Sequence, residues 1–91
     1  METVTISARI SAKKKAEFFQ TTESLKPLIS KYCNDLKINV DSNNNLDIKI
    51  VFEGKEQLEN YFQKNEFNIL KGSVISLCEN IHIKINDMVV N

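Results

Sequence analysis

The side chains able to do chemistry are few and scattered. His82 is the only histidine and Arg9 the only arginine. A lone histidine, with no Cys, Asp or Glu at ligand spacing, makes no metal site, so none is expected. Cys33 and Cys78 lie far apart and form no C-x-x-C pair, which predicts two reduced, buried thiols. Tyr61 falls at helical spacing with Leu58 and reads as a buried aromatic with a polar tip. Its hydroxyl is bonded, wet, or free to donate to something bound. Phe18, Phe52 and Phe67 read as core residues by the usual burial of Phe. No Ser-His-Asp set, Gly-rich phosphate loop or paired acidic motif stands out.

The composition sets limits on that chemistry. The 91 residues make one domain, spanning 1–91. Twelve basic residues balance twelve acidic ones. A nucleic-acid binder needs excess positive charge to displace counterions, so no nucleic-acid partner is expected. No apolar run approaches the roughly 20 residues that span a bilayer, so no membrane span is expected. The start, Met1-Glu2-Thr3-Val4, lacks a basic-then-apolar leader and predicts a cytoplasmic protein. A chain this short has a small core, and it gains from burying further surface against a partner.

Periodicity supplies the elements. Val4, Ile6, Ala8 and Ile10 alternate with polar residues, as a half-buried strand does. Ser11 is expected to cap a helix whose entry is Lys13-Lys14-Lys15, and Phe18, Leu25, Ile29 and Tyr32 follow at helical spacing. Pro27 should kink that helix or open a second segment capped by Ser24. Leu36, Ile38 and Val40, the Asn-rich turn 42–45, and Leu46, Ile48, Ile50 and Phe52 read as a hairpin. A helix over 56–64 follows Gly54, and Asn65 is expected to cap its continuation, with a break possible at Gly72. Cys78 belongs to that helix face. Ile81, Ile83 and Ile85 form a fourth strand, which Met88-Val89-Val90 could extend.

The order strand, helix, strand, strand, helix, strand predicts an α+β, ferredoxin-like βαββαβ fold. Helices cover one face of a four-stranded antiparallel sheet. The open face should carry Thr5, Ser7, Arg9, Lys37, Asn39, Lys49, Val51, Glu53, His82 and Lys84. Arg9 is expected to pair with Glu53 across the sheet or across a dimer. The fold hosts many functions. A metal-carrier loop is excluded because Ile10-Ser11-Ala12-Lys13 holds no cysteine, and an RNA-recognition face because Thr5, Ser7, Lys49 and Val51 include no aromatic. Amino-acid-sensing domains of the ACT type usually have a Gly in the first strand-to-helix turn, and none precedes Gly54.

Residues 3 to 86 resemble the antibiotic biosynthesis monooxygenase family of dimeric α/β-barrel proteins. Ala8-Arg9-Ile10 matches the end of that family's first strand, and Leu25-Lys26-Pro27-Leu28 its Pro-containing helix end. Cys33-Asn34-Asp35 keeps the Cys of a Gly-Cys pair without the Gly. Between Ile50 and Leu70, Phe52 stands at the Trp position, Tyr61 at the first His, and Glu66-Phe67 replaces His-Phe. The resemblance implies a homodimer formed through the open sheet face. It also implies oxidation of a phenolic or quinol small molecule without metal or organic cofactor, in a pocket between sheet and helices. Phe18, Phe52, Tyr61 and Phe67 would line that pocket, with Tyr61 the candidate catalytic donor. The haem-degrading branch needs an Asn and an axial His where Ala8 and Ser73 stand, and neither can serve. Loss of the Trp and both His positions leaves a second reading, a non-catalytic dimeric module that binds a ligand or assembles.

Overall fold

The computed structural model describes residues 1–86 and 88–89. Strand β1 (Glu2–Ile10) leads through a short 3-10 turn at Ala12–Lys14 into helix α1 (Lys15–Ile29). The hairpin β2 (Asp35–Val40) and β3 (Asn45–Phe52) follows, then α2 (Lys55–Phe62), α3 (Asn65–Leu77), β4 (Cys78–Ile85) and a two-residue β5 (Met88–Val89). The sheet order is β2-β3-β1-β4-β5, antiparallel throughout, which is the expected ferredoxin-like arrangement with a short fifth strand at one edge. No helix among the described residues is long and apolar enough to cross a membrane.

β1 is the interior strand on which the sheet is assembled. Val4, Ile6 and Ala8 stand in register with Ile50, Ile48 and Leu46 of β3, so one face is a continuous aliphatic floor. All six are buried, and Phe18, Leu25 and Ile29 of α1 and Leu70 and Val74 of α3 close over them. Edge strand β2 contributes only half-buried Leu36, Ile38 and Val40.

Several helix boundaries differ from expectation. The Ser11 side chain makes no cap bond; its carbonyl instead accepts from the Lys14 N–H at 3.0 Å, which closes the 3-10 turn. α1 runs unbroken through Pro27, and the Ser24 hydroxyl donates back to the Gln20 carbonyl at 3.5 Å rather than capping a new segment. Leu25 and Ile29 are anchored in the core on either side of the proline, and this burial outweighs one missing helix bond. Thr22 fills the polar gap in the helix stripe. It is fully buried, and its hydroxyl is satisfied by the Phe19 carbonyl at 3.2 Å. The second helical region is two helices. Lys64 is extended at the junction and Asn65 starts α3, which passes Gly72 without a break.

The largest difference lies on β4. Cys78 begins this strand and does not belong to the helix. Ser7 faces His82 while Arg9 faces Glu79, so the single residue Ala8 opposes both Asn80 and Ile81. This is a β-bulge, with Asn80 at φ 53. The extra residue reverses the alternation, and Cys78 upstream and Ile81, Ile83 and Ile85 downstream all turn towards the core. Met88-Val89 folds back against Lys84 and Ile85 instead of extending β4. Asp87, Val90 and Asn91 lie outside the described residues.

Ile48 sits between Ile6 and Ile38 at the centre of the floor. Ile48→Ala is expected to cost about 2–5 kcal/mol, and Ile38→Ala on the half-exposed edge distinctly less. Urea unfolding of the two variants checks this ordering.

Candidate functional site

The site grows from the end of β3. After Phe52 the chain turns at Gly54, and the Gln57 side chain accepts from the Glu53 N–H at 2.6 Å, fixing the entry to α2. Leu58 and Tyr61, three residues apart, then share the inward face of α2. The Lys64 N–H bonds the Tyr61 carbonyl at 2.9 Å, and the chain reverses into α3, which brings Phe67 onto Tyr61. On the far side the Lys64 ammonium lies 5.1 Å from the centre of the Tyr32 ring, tying the junction to the end of α1.

Three of the four predicted pocket residues meet here. The Tyr61 ring is 5.2 Å from Phe52 and 4.9 Å edge-on from Phe67. Phe62, the next residue of α2, completes the group at 4.8 Å from Phe67 and 6.2 Å from Tyr61. Phe18 is elsewhere: it makes its ring contact with Phe19 at 6.0 Å, in the core beneath α1. The cluster is closed. Tyr61, Phe52 and Phe18 have no exposed surface, and the four predicted residues line none of the cavities described on the surface.

The Tyr61 hydroxyl is the exception to this apolar packing. It is buried and has no hydrogen-bond partner among the described residues. Burial pushes its pKa well above the ordinary value of 10, and the nearby Cys33 and Glu66 add to the rise. The group therefore remains a neutral donor and cannot act as a base at ordinary pH. Burial likewise raises the thiol of Cys33, reinforced by the Asp35 charge and opposed by a backbone bond from Asp35. Cys78 is raised by burial against the opposing pull of Lys14. Both thiols are free; Cys78 is buried, whereas Cys33 is only half-buried, contrary to expectation. Among the described residues no three His, Cys, Asp or Glu side chains gather as a metal site.

The opposite face of the sheet is organised in rows. Lys37, Lys49, Thr5 and Lys84 form one row across four strands, and Asn39, Asp47, Ser7 and His82 form the next. The Ser7 hydroxyl donates to Asp47 at 3.2 Å. None of the ten residues predicted for this face is buried. The expected Arg9–Glu53 pair does not exist within the chain. Arg9 aligns with Asn45 at the start of β3, whereas Glu53 follows that strand's end and accepts from the Asn34 amide at 2.7 Å.

Comparison with solved structures places this fold. A conserved protein from Methanosarcina mazei Go1 superposes with a TM-score of 0.81 at 16% identity, covering 92% of this chain and 88% of the other. An antibiotic biosynthesis monooxygenase matches with a TM-score of 0.78 at 11% identity, over 93% and 95% of the two chains. A NIPSNAP domain protein from Burkholderia xenovorans matches at 0.67 and 15% identity, over 93% and 91%. No family model and no curated protein matches the sequence. The chain thus has the ferredoxin-like fold of the antibiotic biosynthesis monooxygenases, and at these identities the likeness is one of fold.

An unpaired buried hydroxyl carries a desolvation cost with no return, so Tyr61→Phe is expected to leave stability unchanged or raise it by about 1 kcal/mol. The raised pKa in the folded state means that the Tyr61 contribution is complete below the unfolded value near 10 and lost as pH climbs past it. The urea midpoint of the wild type should therefore fall above about pH 10, with a shallower fall in Tyr61→Phe. Parallel urea titrations of the two proteins across this range check both points.

Proposed function

We propose that this chain binds a phenolic or quinol-type small molecule between sheet and helices and acts on it as a cofactor-independent monooxygenase. The observation that carries the reading is the Tyr61 hydroxyl, buried and without a partner among the described residues, beside the rings of Phe52, Phe62 and Phe67. A ligand oxygen would supply the missing acceptor, and the surrounding rings suit a planar aromatic ligand. Phe18 would form the more distant wall beneath α1.

Tyr61 keeps its proton, so its role is to donate to the oxygen of a substrate that enters as its phenolate, having left its proton in bulk water. The substrate itself supplies the electrons for dioxygen; one oxygen atom is incorporated and the other leaves as water. The closed packing supports a second reading, a protein that has kept the fold without catalysis and binds a ligand or assembles.

The proposed protein is a cytoplasmic homodimer that pairs through its open sheet face. The lysine row lies directly beside the row containing Asp47, so a second copy related by a two-fold axis can set lysines of one sheet against the Asp47 carboxylate of the other. Such pairing offsets part of the cost of removing these charges from water.

Oxygen uptake with a panel of hydroquinones is expected to saturate and to fall at least tenfold in Tyr61→Phe. Absence of turnover with every member of the panel favours the non-catalytic reading. Light scattering is expected to give a dimer at micromolar concentration, and a monomer would defeat the interface.

A further inference from the structure

A second, chemically different site lies at the other end of the sheet. β3 separates the two: Phe52 ends at the Tyr61 cluster, whereas Asn45 at its start pairs with Arg9. Seven strand steps make the separation roughly 23 Å. A cavity of about 370 Å³ opens here where β1, β4, the β2–β3 turn and the start of the α1 region converge. Its polar lining is Arg9, Ser11, Lys14, Asn44 and Glu79, over a floor that includes Cys78.

The backbone is built to hold these groups together. Asn44 takes a left-handed conformation, φ 64, and its carbonyl accepts from the Ile10 N–H at 3.0 Å. This fastens the hairpin turn to the end of β1. The turn is itself held by Asp41, whose carboxylate accepts from the N–H groups of Asn43 at 2.8 Å and Asn45 at 3.0 Å. On the other side the bulge at Asn80 re-aims the start of β4, bringing Glu79 opposite Arg9. Left-handed asparagines thus flank the one arginine of the chain on both sides, Asn44 in the β2–β3 turn and Asn80 on β4.

The donors converging on this cavity are uncommitted. Among the described residues the ion pairs are Lys26–Glu23 and Lys37–Asp35, and neither Arg9 nor Lys14 joins one. The Ser11 hydroxyl makes no cap bond. Among the residues lining this cavity, the two cations stand against the single carboxylate of Glu79. A guanidinium fork, an ammonium and a hydroxyl around a cavity of this size match an oxyanion group.

We infer that the Arg9–Lys14 cavity is a binding site for a small organic molecule that carries one carboxylate or phosphate group. Arg9 takes two oxygens side by side, Lys14 adds charge, and Ser11 and Asn44 fix orientation. The inference does not depend on the Tyr61 reading, and its test uses no turnover.

The full chain, labelled with nitrogen-15, is titrated with sodium acetate and separately with inorganic phosphate, against sodium chloride at equal ionic strength. Saturable shifts of the Ile10, Ser11 and Asn44 amides are expected with at least one of the two anions, and the stronger arm distinguishes carboxylate from phosphate chemistry. Arg9→Gln should weaken binding at least tenfold and Arg9→Lys less, because the fork geometry is lost while the charge remains. Lys14→Gln, on the exposed turn, gives an independent check with an expected loss of about threefold. Shifts that fail to saturate with both anions, that survive Arg9→Gln, or that appear equally at Lys37, Lys49 and Lys84 overturn the assignment.

Discussion

Everything in this molecule depends on β1 being buried on one face and hydrogen-bonded on both edges. Its alternating Val4, Ile6, Ala8 and Ile10 form the centre line of the aliphatic floor. The hydrophobic gain from this floor is what orders the helices above it, because an isolated helix of the length of α2 or α3 is marginal in water. The same alternation consigns every second residue to the opposite face. The polar rows of Lys37, Lys49 and Lys84 and of Asp47 and His82 are therefore a by-product of core formation before they are anything else.

The floor also places the two chemically distinct regions. β3 runs beside β1 along its whole length, with Phe52 at one end and Asn45 at the other. At the Phe52 end the chain must reverse into helices, and the aromatic residues needed to close the core gather there. At the Asn45 end the turn and the bulge pair their backbone groups and gather polar side chains around the end of the sheet. The first region is buried and apolar, with Tyr61 as its one polar intrusion; the second is exposed and lined by Arg9, Lys14 and Glu79. An apolar ligand with one oxygen suits the former, an anion the latter, and this division follows from how a half-buried sheet ends.

Tyr61 illustrates how a low dielectric decides role. In water its hydroxyl would exchange partners freely. Between Phe52 and Phe67 it has none among the described residues, and burial holds it in the neutral form. The environment thus removes one chemical option, proton abstraction, and retains another, donation to an acceptor carried in from outside. Cys33 and Cys78 show the same effect on thiols, each pushed towards the protonated, unreactive form.

The sequence alone determined which residues face the core on β1, on β3 and on β4 from Ile81 onward, because a period of two is a local property and burial enforces it. It also determined the element order, and with it the ferredoxin-like architecture. It placed Phe52, Tyr61 and Phe67 in one stretch, although their resemblance-based role as pocket walls rests on what a ligand would do. The tertiary structure decided what depends on residues distant in the chain. Pro27 lies in a continuous helix because the sheet holds Leu25 and Ile29. Cys78 joins β4 because a bulge opposite Ala8 shifts the register. Arg9 lies far from Glu53 because β1 and β3 run antiparallel. Periodicity cannot register an inserted residue or a strand direction, since both are fixed only when two segments pair. The convergence of Arg9, Lys14 and Asn44 on one cavity was hidden for the same reason: no spacing in the chain relates them until the sheet has formed.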